Sequence, residues 1–195
     1  MTRALPYFSI PLLVIAAVRH WTETPSETIW RVRYTNCDKG YFVELPSGIV
    51  AHAAHSPAPN HGFLISTSGT GTTDRVTAEQ TGFVGVFDQY NSMELRDPQA
   101  YLDWGLKNTP GSELVYTRQM ALRGLPAIQA EYSAVERGRR IWNKVLIVFR
   151  DKDDIIYELM LRTLKRDDAN DMRLYQVIKS GFHVFPISQG ECVNP

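Results

Sequence analysis

Residues 114–163 read LVYTRQMALRGLPAIQAEYSAVERGRRIWNKVLIVFRDKDDIIYELMLRT, and this stretch decides the fold. Leu114–Leu122 leads through the tight Arg123-Gly124 turn into Pro126–Val135. Arg140–Arg150 follows, and the charged turn Asp151-Lys152-Asp153-Asp154 opens Ile155–Thr163. In the last segment Ile155, Tyr157, Leu159 and Leu161 alternate with Ile156, Glu158, Met160 and Arg162, the period of two that a strand requires. Consecutive strands joined by tight turns pair antiparallel.

Helical signals flank this block. Asp97-Pro98 is a helix start: aspartate accepts from the free N–H groups of the first turn, and proline there gives up nothing. Tyr101, Leu102, Trp104 and Leu106 supply its apolar side, and Asn108-Thr109-Pro110-Gly111 ends it. After the block, Asp167 or Asp168 caps a second helix in which Met172, Tyr175, Ile178, Phe182 and Phe185 recur every three or four residues, with Pro186 as the stop. Such a stripe buries against a sheet face.

Upstream, Trp30, Val32 and Tyr34 alternate with Arg31, Arg33 and Thr35 as a half-buried strand. Turn chemistry separates it from Tyr41–Leu45 and from Ile49–Ala51, as in a meander. Phe63–Ile65 and the apolar run from Phe83 to Phe87 add further strands. The expected class is α+β: an antiparallel meander sheet with two main helices packed on it.

The N-terminus has its own character. Arg3 precedes a charge-free run from Ala4 to Val18, which as a helix reaches about 22 Å, short of a hydrocarbon core. It reads as a secretory signal over residues 1–17, with Ala17 near the mature start, a polar linker over 18–28 and one domain over 29–195. The reading places the protein in a periplasmic or secreted compartment. There Cys37 and Cys192, the two cysteines of the chain, are expected to form a disulfide.

Lysine plus arginine equals aspartate plus glutamate at 21 each, so no phosphate backbone is expected as the main partner. The basic cluster Arg137, Arg139, Arg140 and Lys144 reads as a solvated hairpin. Among candidate ligands, His52, His55 and His61 share one Pro- and Asn-containing loop, and imidazoles so close could meet on zinc or copper. No cysteine or carboxylate lies inside that loop to complete a structural site, so no stoichiometric metal is expected. The Gly69-Thr70-Gly71 loop has no Gly-Lys-Ser/Thr, and neither a Gly-x-Ser-x-Gly elbow nor His-Glu-x-x-His occurs. Asp153-Asp154 and Asp167-Asp168 read as turn and cap residues.

Several pieces resemble the PsbP-like family, named for an extrinsic protein of photosystem II: Gly124-Leu125-Pro126-Ala127, Lys144–Phe149, Ile155–Leu161, Tyr175–Phe182, and Tyr41–Pro46 upstream. The resemblance implies an antiparallel sheet with helices packed on it, and a binding role, usually to another protein, without catalysis; no cofactor is expected. The expected function is therefore a non-catalytic exported binding protein that engages a protein through the sheet edge or the Phe87–Trp104 region. A metal-binding protein built on His52, His55 and His61 is the alternative.

Overall fold

The computed structural model describes residues 29–30, 32–53, 61–66, 82–95 and 97–187. The expected leader (1–17) and linker (18–28), His55, the Gly69–Gly71 loop and Cys192 lie outside the described residues.

An eight-stranded antiparallel sheet organises the chain. Its strands are β1 (Ile29–Trp30), β4 (Ala51–Ala53), β5 (His61–Ser66), β6 (Phe83–Tyr90), β7 (Glu113–Leu122), β8 (Leu125–Glu136), β9 (Arg139–Arg150) and β10 (Ile155–Thr163). They lie in the order β1-β4-β5-β6-β10-β9-β8-β7. The block 113–163 is thus one meander, as its sequence indicates. Its two-residue hairpin turns, Arg123-Gly124 and Arg137-Gly138, hold both central residues at positive φ (+51° and +83°, +48° and +74°), and the third connection runs through Asp151–Asp154. That geometry matches the right-handed twist of the strands they join.

A second sheet, β11-β3-β2, comprises β2 (Arg33–Asn36), β3 (Tyr41–Glu44) and β11 (Phe182–Val184). It packs with helix α2 (Ala169–Gly181) on one face of the large sheet, where Tyr157, Leu159 and Leu161 meet Tyr41, Val43, Tyr175, Ile178 and Phe182. Helix α1 (Pro98–Lys107) covers the other face, setting Leu102 against Ile147, Phe149, Ile156 and Met160. Both helices begin as expected. Asp97 accepts from the Ala100 N–H at 2.8 Å, and Asp168 accepts from the N–H groups of Asn170 and Asp171.

Three expectations are corrected. The upstream segment is not one strand: β1 pairs with β4 in the large sheet, β2 pairs with β3 in the small one, and Val32 between them is 73% exposed. Nor does the meander run on from Tyr41–Leu45. Pro46 has no N–H to continue the ladder, and Gly48 at φ +79° turns the chain out to β4.

The stripe through Met172, Tyr175, Ile178 and Phe182 belongs to the core as expected, but the helix stops at Gly181 and Phe182 opens β11, paired with Val43. Gly181 is pressed onto β3, where a Cβ would stand 2.7 Å from the Glu44 carbonyl oxygen. Closing contact with β3 lets the chain switch from helix to strand. The Arg123 guanidinium then donates to the carbonyls of Phe182 (2.9 Å) and Ser180 (3.2 Å), satisfying acceptors that the end of a helix leaves open.

Candidate functional site

Of the three nominated histidines, two lie among the described residues. His52 lies buried on β4, in register with Leu64; His61 lies on β5, in register with Asp88. Leu64 belongs to the core beneath α1, so position 52 occupies that row. Cys37 follows β2 at the start of the turn to β3, and its predicted partner lies outside the described residues.

The Phe87–Trp104 region divides in two. Tyr101 turns inward: its hydroxyl accepts from Gln89 Nε2 at 2.7 Å and donates to Glu158 Oε2 at 3.2 Å. Enclosure between α1 and the sheet pushes the Glu158 carboxyl up to about 7, against the opposing pull of the Tyr101 bond. Tyr90 stays 56% exposed, with the Lys39 ammonium 3.0 Å from its ring centroid. The basic cluster is partly neutralised, since Arg140 pairs with Glu113 at 2.8 Å and Lys144 with Glu131 at 2.7 Å.

Sequence reasoning missed a buried polar network around Asp88. The Tyr41 hydroxyl donates to Asp88 Oδ2 at 2.6 Å and Asn36 Nδ2 donates to the same oxygen at 3.1 Å. The Tyr157 hydroxyl donates to the Lys39 carbonyl at 2.6 Å and accepts from Arg150 Nη1 at 3.2 Å. Burial, reinforced by Tyr34 and Asp88, pushes the Tyr41 hydroxyl well above its ordinary range, so it remains a donor. The network ties the β2–β3 turn to β6 and β10. Closed within the core, it fastens the two sheets together. One signal was legible: a single carboxylate ending the apolar run Phe83–Phe87.

The feature that faces outward is β7. Among the described residues it is the outermost strand of the large sheet and pairs only with β8. Every residue from Glu113 to Gln119 is exposed, and Leu114, Val115 and Tyr116 show 45%, 43% and 45% of their surface. The opposite edge, β1, is two residues long. A long open edge presents a row of backbone donors and acceptors that an extended chain can satisfy.

No family model matches the chain and no curated protein does. Among solved structures it is similar to cyanobacterial PsbP (CyanoP) from Synechocystis sp. PCC 6803, with a TM-score of 0.53 and 15% identity, covering 83% of this chain and 95% of that one. LpqN of Mycobacterium tuberculosis, described as involved in cell envelope biogenesis, gives a TM-score of 0.44 and 14% identity over 81% of this chain and 92% of that one. The immunity protein TplEi of Pseudomonas aeruginosa gives 0.38 and 10% over 94% and 87%. The shared architecture with cyanobacterial PsbP, an antiparallel sheet with helices packed on it, shows that this chain has a PsbP-like α+β fold.

Proposed function

We propose that this chain is a non-catalytic exported binding protein that takes an extended segment of a protein partner as an added strand along β7. The observation that carries the reading is the open edge itself: a ten-residue strand, exposed from Glu113 to Gln119, at the rim of a sheet whose faces are both covered. Main-chain pairing supplies affinity in such complexes, and side chains such as Tyr116 and Arg118 select the sequence. Balanced charge favours a protein over a nucleic acid. Export belongs to the same reading, through the charge-free run Ala4–Val18, a mature start near Ala17 and a bridge between Cys37 and Cys192.

The test compares the mature protein with Thr117→Pro in affinity capture from an envelope fraction. Proline removes a main-chain donor from an edge strand that can otherwise stay folded. A partner held by the wild type and lost by the folded variant supports the proposal. Equal capture by both would overturn it.

A further inference from the structure

Taking β7 as the docking edge, we infer that in the free protein this edge is closed by the β7 of a second copy, antiparallel about a two-fold axis through Gln119. The strand's own register sets which residues can pair. Between Leu114 and Tyr116 the β7–β8 ladder skips Val115, a bulge that reverses the alternation of side chains along the strand. Regular pairing is therefore available only from Tyr116 to Leu122.

An antiparallel pair of identical strands in one continuous sheet requires a two-fold axis perpendicular to the sheet. Residues that face each other must then have the same parity. Five registers that pair at least three residues meet that condition within Tyr116–Leu122. An axis at Thr117 or at Ala121 pairs only three. An axis at Arg118 sets the guanidinium against its own copy, a like-charge contact that destabilises a sheet pair. An axis at Met120 pairs five residues. An axis at Gln119 pairs all seven: Tyr116 with Leu122, Thr117 with Ala121, Arg118 with Met120, and Gln119 with itself. It opposes no like charges and sets the exposed tyrosine ring against an apolar partner.

The segment also lacks what keeps edges apart. Tyr116–Leu122 contains no proline, no lysine and no acidic residue, with Arg118 its sole charge. The bulge guards only the Glu113–Val115 end. A self-pair would occupy the same backbone groups that a foreign strand would use, making the dimer a resting state from which a partner displaces the second copy.

The experiment uses the mature chain, with size-exclusion chromatography and light scattering over a concentration series. Gln119→Cys and Thr117→Cys are then compared under mild oxidation. Cross-strand partners stand about 4.5–5.5 Å apart at Cα, within reach of a disulfide. A wild-type dimer, a covalent dimer from Gln119→Cys but not from Thr117→Cys, and dissociation in folded Thr117→Pro are expected. A monomer at every concentration overturns the self-pair. If Thr117→Pro nonetheless abolishes capture of a foreign partner, the docking edge stands without it. A dimer that survives Thr117→Pro and fails to cross-link through Gln119→Cys uses another surface and overturns the inference.

Discussion

The Tyr41 hydroxyl donates to the Asp88 carboxylate at 2.6 Å, and both residues are fully buried. The bond joins β3 of the small sheet to β6 of the large one, inside a core where an unsatisfied carboxylate is expensive. Tyr41→Phe keeps the ring among Tyr157 and Phe182 but removes the donor. It is expected to cost about 1–3 kcal/mol in denaturant unfolding. A loss within error would mean that the network does not fasten the sheets.

Phe182 is buried where β11 leaves α2, with its ring 5.4 Å from that of Tyr157. Phe182→Ala is expected to cost roughly 3–5 kcal/mol, because the small sheet and the helix cannot both collapse into the space. A loss under about 1 kcal/mol contradicts the packing described here.

The Glu158 carboxyl carries a pH signature. Its folded value of about 7 exceeds the ordinary 4.5, so the folded state holds the proton longer than the unfolded chain does. This contribution is therefore fully present below about pH 4.5 and is lost as pH rises through 7, by an amount on the order of 3 kcal/mol. Glu158→Gln keeps the shape and removes the titration. The variant is expected to gain stability over the wild type at pH 8 and to match it near pH 4.5. Parallel stability curves across that range would refute the assignment.

Cys37 lies in the turn that the Asp88 network anchors, and the bridge to Cys192 would fix the C-terminal residues beside it. Thiol titration of denatured, unreduced mature protein is expected to find no free thiol in a monomer. Two thiols per chain would end the proposal.

Purified protein is expected to hold no stoichiometric zinc or copper. One ion per chain by elemental analysis, lost in His55→Ala, would instead promote the metal-binding reading of His52, His55 and His61.

The sequence by itself determined the elements whose signals are local. Period-two alternation marked β10, and the Arg123-Gly124 turn and the charged turn Asp151–Asp154 marked strand boundaries in the meander. Asp97-Pro98 marked where the first helix begins, and the Asp167-Asp168 pair marked the start of the second, which the structure places at Asp168. Only the tertiary structure decided where strands changed sheet. Trp30 and Tyr34 look alike in an alternating run, yet the β1–β4 and β2–β3 ladders draw them into different sheets. Phe182 continues the helical spacing, yet Gly181 against Glu44 converts it to a strand residue. The same holds for the candidate site. The composition of β7 is that of an ordinary strand, and its exposure follows from having β8 on one side and no described strand on the other. Edges, sheet switches and buried pairs such as Tyr41 with Asp88 arise from contacts between residues far apart in the chain, which local periodicity does not encode.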